Sequence, residues 1–194
     1  TAARTTADKG HEAYQQLFAA CASVMELIVR NPKPVIAEVA GTATAAGCQL
    51  VASCDLAMAS NTVKFATPGV NLGLFCSTPM VALSRNVSRK HAMEMLLSGD
   101  MVDASRAEQI GLINRAFNPD QLTSETMAMA LKIASKSTMT IAIGKRAFYE
   151  QAEMPLNEAY AYTSQVMTEN MLTRDAEEGI GAFLGKRTPE WQDQ

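Results

Sequence analysis

Between Gly41 and Asp55 the chain reads GTATAAGCQLVASCD: a turn of glycine, alanine and threonine, then apolar residues, then one carboxylate. Small side chains let a backbone come close to a neighbour or a ligand. A helix that starts in such a turn offers N–H groups with no partner of their own. Upstream, NPKP at 31–34 ends any preceding helix, because the residue before a proline avoids the helical region. VIAEVA at 35–40 then reads as a short strand, Gly41 turns the chain, and AAGCQLVASC reads as a buried helix. DLAMAS and VKFATP are two further short strands. Strand, tight turn, buried helix and strand in so short a span commit this part of the chain to α/β layers.

The flanks follow from periodicity. Tyr14, Leu17, Phe18, Cys21, Val24, Met25 and Ile28 recur at helical spacing and predict an amphipathic helix over 11–30. After Pro68 an irregular stretch containing Gly69 and Gly73 is expected to about Ser77. TPMVALSRN, SRKHAMEMLLSG and DASRAEQIG predict short helices and GLINRAF a strand. Three longer helices are expected to fill most of 121–185. The chain divides on this reading into a core over 1–120 and a helical region over 121–194.

Bulk properties exclude several functions. The net charge of −3 and the absence of a basic run argue against nucleic acid and anionic membrane as partners. No run of eighteen apolar residues is present to cross a bilayer. Of the cysteines Cys21, Cys48, Cys54 and Cys76, three lie in apolar or small-residue stretches and read as buried free thiols. With only His11 and His91 besides, and no CxxC, a zinc site is not expected. GIGAFLGKRT at 179–188 is not a phosphate loop, because Arg187 stands where serine or threonine is required. The twelve methionines read as core filler. His91, beside Arg89 and Lys90, reads as a solvated helix residue, and Asp55 as a capping or paired structural carboxylate. Glu38, inside an apolar strand, is expected at an edge or interface with a salt bridge.

Four segments carry a family resemblance. NPKPVIAEVAGTATAAGCQLVASCDLAMAS and VKFATPGVNLGLFCSTPM resemble the central strand–turn–helix of the crotonase family, the enoyl-CoA hydratases and isomerases, and the segment after it. AMEMLLSGDMVDASRAEQIGLINRAF and EEGIGAFLGKRTPEW resemble that family's later helices, strand and C-terminal tail. The motifs stand in family order from residue 11 onward. The resemblance implies one α/β family domain of the ClpP/crotonase-like spiral fold with a helical C-terminal part. It also implies that an N-terminal portion preceding residue 11, carrying a second oxyanion donor, is missing.

The family's chemistry starts from an acyl-CoA thioester whose oxygen is held by two backbone N–H groups while an enolate develops. Each such donor is worth about 3 kcal/mol in a dry site. The resemblance places one donor at Ala46, followed by Gly47, and extends the substrate surface to Gln49, Gly69, Phe75 and Ser77. Coenzyme A enters as part of the substrate, and no separate cofactor is implied. Hydratases of the family carry two glutamates where this chain has Gln49 and Gly69. An amide does not exchange a proton near neutral pH and glycine has no side chain, so two-carboxylate hydration is expected to be weak or absent. The remaining titratable or nucleophilic candidates are Glu38, Asp55, Cys76 and Ser77. Two readings follow. One is a hydratase/isomerase-family protein that binds an acyl-CoA. The other is a non-catalytic acyl-CoA-binding or assembly subunit of lipid metabolism. The resemblance further implies a homo-oligomer, trimer or hexamer, with Tyr160, Tyr162, Val166 and Met167 on a helix that has more than one buried side. It implies the cytoplasm for a bacterial source and the mitochondrial matrix for a eukaryotic one.

Overall fold

The computed structural model describes residues 7–193. The chain falls into two compact units, one comprising residues up to Val29 with Val35–Thr126, the other Arg30–Pro34 with Met127 onward.

The first unit opens with α1 (His11–Arg30), whose N-terminus is held by Asp8: its carboxylate accepts from Gly10 N at 2.9 Å and Glu12 N at 3.1 Å. The chain continues through β1 (Ile36–Val39), β2 (Ala43–Thr44), α2 (Ala46–Ser53), β3 (Leu56–Ser60) and β4 (Lys64–Ala66). One three-stranded sheet runs in the order β1-β3-β6, all parallel, with β6 at Arg115–Phe117. In a second sheet β4 pairs in parallel with β2 and antiparallel with β5 (Val102–Asp103). Parallel neighbours need crossovers, and α2 lies in the one from β1 to β3. Between β4 and β6 the chain forms α3 (Pro79–Asn86), α4 (Arg89–Ser98) and α5 (Ala104–Gln109). Ser88 and Asp103 cap the last two, accepting from His91 N and Arg106 N.

A single apolar cluster holds this unit together. Phe65 of β4, Ala59 of β3, Cys48 and Val51 of α2, Leu83 of α3 and Met95 of α4 are all buried in it. Asn86 Nδ2 donates to the Ala52 carbonyl at 2.7 Å and ties α3 to the end of α2. α1 behaves differently. None of its residues is fully buried; Tyr14, Cys21, Met25 and Ile28 are half-buried, while Leu17, Phe18 and Val24 are exposed. The predicted amphipathic stripe exists, but only one flank of it is covered.

In the second unit α7 (Thr138–Gln151) packs against α8 (Leu156–Met171), and α8 against α9 (Arg174–Leu184). Ser137 and Thr173 cap α7 and α9. The tail after Leu184 is strapped down. The Asp175 carboxylate accepts from Gln192 N at 2.8 Å and Asp193 N at 3.1 Å. Asp193 in turn accepts from Thr138 N at 2.7 Å, and Trp191 Nε1 donates to the Ser135 carbonyl at 2.9 Å. Arg187 and Glu178 form a two-pronged ion pair at 2.5 and 2.7 Å.

Several expectations are corrected. Residues 121–185 hold four helices, because α6 (Leu122–Ala134) precedes the three just named. The stretch after Pro68 is not irregular throughout: Pro68–Leu72 form a 3₁₀ turn, closed by Gly73 at φ 72°. The strand in GLINRAF is confined to Arg115–Phe117. Cys48 and Cys76 are buried, but Cys21 and Cys54 are only half-buried. Within this chain α8 buries Ala159 alone, with Tyr162 and Val166 half-buried and Tyr160 and Met167 exposed; a second buried side would belong to the proposed assembly.

Candidate functional site

The turn before α2 is built on a strained residue. Ala45 sits at φ 48°, ψ −115°, a setting that L-residues other than glycine rarely take. Its N–H donates to the Ala66 carbonyl at 3.0 Å, extending the β2–β4 pairing by one residue. Its carbonyl accepts from Gln49 N at 3.0 Å and closes the first turn of α2. The helix therefore starts at Ala46. Among the described residues, the N–H groups of Ala46, Gly47 and Cys48 find no acceptor, as the opening of a helix dictates. Ala46 is exposed and Gly47 half-buried, so the first two of these donors can be reached. The helix dipole adds partial positive charge at the same end.

Behind the turn the helix is sealed. Cys48 is 1% exposed, and burial, with the nearby Cys76 thiol adding to it, pushes its pKa up to about 12. It stays a neutral thiol. Gln49 is 4% exposed; its Oε1 lies 3.7 Å from the Cys21 thiol, which donates to it weakly.

Gly69 occupies the second position of the 3₁₀ turn. Its N–H donates to the Cys76 thiol at 3.3 Å, and its carbonyl accepts from Leu74 N at 3.0 Å. Phe75 and Ser77 flank Cys76 and are exposed; Ser77 Oγ turns back to the Phe75 carbonyl at 3.3 Å.

The two candidate carboxylates each have a partner. Asp55 Oδ2 accepts from Val35 N at 2.7 Å, while Asp55 N donates to the Val35 carbonyl at 3.0 Å, locking β1 beside β3. It also lies past the far end of α2, whose last residue Ser53 is already about 10 Å along the axis from Ala46 by helix rise. Glu38 is on β1, at the sheet edge as expected, but its partner there is the Thr123 hydroxyl at 2.7 Å. An open groove of about 600 Å³ runs along that edge, lined by Ile28, Glu38, Gly41, Gly47 and Leu50 among others. It brings Glu38 and Gly47 to one cavity and leaves Ala46, Gln49, Gly69, Phe75 and Ser77 outside it. Among the described residues no three His, Cys, Asp or Glu stand together as a metal site requires. Sequence reasoning named Cys76 only as a possible reactive group; its contact with Gly69 had no signal in the sequence.

Parallel strands crossed by a short buried helix, with free amides at that helix's N-terminus, define a protein of the crotonase fold. A family model described as enoyl-CoA hydratase/isomerase matches residues 3–194, and the chain belongs to that family. It is 50% identical to human enoyl-CoA hydratase domain-containing protein 3, mitochondrial, over 97% of this chain and 62% of that protein. The crystal structure of an enoyl-CoA hydratase from Mycobacterium smegmatis superposes with a TM-score of 0.92 at 52% identity, covering 97% of this chain and 73% of that one. The structure of human enoyl-CoA hydratase domain-containing protein 3 superposes at 0.93 with 50% identity, covering 98% and 76%. The chain spans 61–64% of the length of the vertebrate curated relatives it matches.

Proposed function

We propose that this chain contributes the thioester-holding half of an acyl-CoA site, with Ala46 N–H as an oxyanion donor, and that it does not support efficient hydration. The observation that carries this reading is the reachable pair of free amides at Ala46 and Gly47 on a helix whose next turn holds Gln49 where a glutamate would be needed. A donor aimed at developing negative charge contributes about 3 kcal/mol. A positioned acid or base contributes about 10²–10⁴-fold, and neither Gln49 nor Gly69 can act as one. Binding of the thioester survives the loss of turnover, because the two draw on different groups. Asp55 supports the same reading, since it is engaged by the Val35 backbone beyond the far end of α2; Glu38, which shares a cavity with Gly47, is the first residue to mutate if hydration is found.

The test is calorimetric titration with a saturated acyl-CoA beside a crotonyl-CoA hydration assay, on the chain and on its longest natural form. Binding without hydration is expected, and Ala46→Pro, which removes the amide hydrogen, weakens binding about tenfold or more. Rapid hydration by the unmodified protein overturns the reading. The assembly-subunit reading is favoured if Ala46→Pro leaves binding unchanged.

A further inference from the structure

We propose that Cys76 plugs the second acid position: its thiol and the Leu74 carbonyl fill the volume that any side chain at 69 would need, so Gly69 and Cys76 work as one unit. The inference rests on the reading above, in which that position has lost its carboxylate.

A Cβ built on Gly69 would stand 2.9 Å from Cys76 Sγ, 3.0 Å from the Leu74 carbonyl oxygen and 3.3 Å from Cys76 N. All three are inside van der Waals contact, which lies near 3.5–4.0 Å for carbon pairs, roughly. The reason glycine stands here is therefore space. It is not backbone conformation, because Gly69 is absent from the positive-φ residues. Gly73 makes the contrast: at φ 72° it needs the freedom of glycine, and nothing lies within 4 Å of a Cβ there. Two hydrogen bonds hold the plug. Gly69 N–H donates to Sγ at 3.3 Å, and Leu74 N donates to the Gly69 carbonyl at 3.0 Å, so the loop 69–76 closes on itself at both ends. Cys76 is 8% exposed and belongs to the apolar cluster that also holds Cys48, so the thiol has packed neighbours behind it. The missing carboxylate is thus not an empty place that a single reversion can refill. Its volume is occupied by thiol and backbone.

The experiment is a double-mutant cycle on the full chain, with Gly69→Ala, Cys76→Ala and both, followed by denaturant unfolding. Gly69→Ala is expected to destabilise, and Cys76→Ala to relieve most of that, because the remaining backbone contacts need yield only by tenths of an ångström. Non-additivity of about tenfold in the unfolding equilibrium is expected for residues in contact. Additive effects overturn the proposal. A Gly69→Ala chain that fails to fold alone but folds with Cys76→Ala is the same result in stronger form. Failure to fold in both backgrounds overturns it. Hydration is then measured for Gln49→Glu/Gly69→Glu with and without Cys76→Ala. Coupling in stability without any gain in hydration keeps the plug and sinks the lost-acid reading. Gain without Cys76→Ala sinks the plug and keeps the lost-acid reading.

Discussion

At Ala45 the peptide that presents Ala46 N–H is fixed by a backbone setting of φ 48°, ψ −115°. Such a setting costs a non-glycine residue about 1–3 kcal/mol, and the Ala66 carbonyl and Gln49 amide bonds hold it in place. Replacing Ala45 by glycine removes the strain but adds unfolded-state entropy of about 0.5–1 kcal/mol. The chain should therefore be up to about 2 kcal/mol more stable, while Ala45→Val, with its branch at Cβ, should lose about 2 kcal/mol or more. Urea midpoints of the two variants check the signs. This strain was not legible in the sequence, because alanine gives no hint of positive φ. That Gln49 and Gly69 stand where the family resemblance expects glutamates was legible at once, since it lies in the residue types themselves. The contact between Gly69 and Cys76 was not, because it depends on how seven residues of loop fold back.

Among the elements, the C-terminal strap makes the clearest prediction. Glu178 is held down to about 2 by its hydrogen bonds to Arg187 and then by Glu190 N–H. The Ser137 hydroxyl, then the Gln192 and Asp193 amides, hold Asp175 below the usual carboxylate range. Both pKa values are depressed in the folded chain. The strap's contribution is therefore complete above the ordinary carboxylate pKa and is lost as the pH falls toward about 2. Trp191, the only tryptophan, lies against Gly179, where a Cβ would meet the ring at 3.3 Å. Its emission should shift to the red on acidification and, at neutral pH, in Asp175→Ala, with helix content nearly unchanged. An unshifted spectrum in Asp175→Ala would count against the strap. Elements with their own pattern were legible: α1, α2, β1, β3 and β4 all stand where periodicity and proline placed them. β2 and β5 were not, because two-residue strands are defined by their partners, Phe65 and Ala66 for the first and Lys64 and Phe65 for the second. The boundary between α8 and α9 carries neither proline nor glycine; Thr173 makes it by capping.

For the molecule as a whole, the uncovered apolar surface is the dominant fact. In the second unit Tyr160, Met167, Phe183 and Leu184 are exposed, Phe183 at 82%. Exposed apolar side chains of this size are what the proposed association would cover. The proposed homo-oligomer, trimer or hexamer, predicts a mass by light scattering at micromolar concentration of three or six chains. Phe183→Asp or Leu184→Asp should shift it toward the monomer while far-ultraviolet circular dichroism holds. A stable monomer in the unmodified protein would refute this. The layered α/β class was legible from local signals because parallel strands and crossovers repeat along the chain. Which apolar faces stay open was not, because a hydrophobic stripe reads the same whether its cover lies in the same chain or in another.

The occupied space at Gly69 also gives descent a preferred order. On the proposed plug, a lineage that gains a carboxylate at position 69 first would meet the thiol, and the intermediate should be destabilised. If Cys76 shrinks first, the intermediate carries only a small gap and can persist until the second change arrives. If the plug holds, one order of substitution should be easier than the other, and the present pair would act as a ratchet on the history of the site.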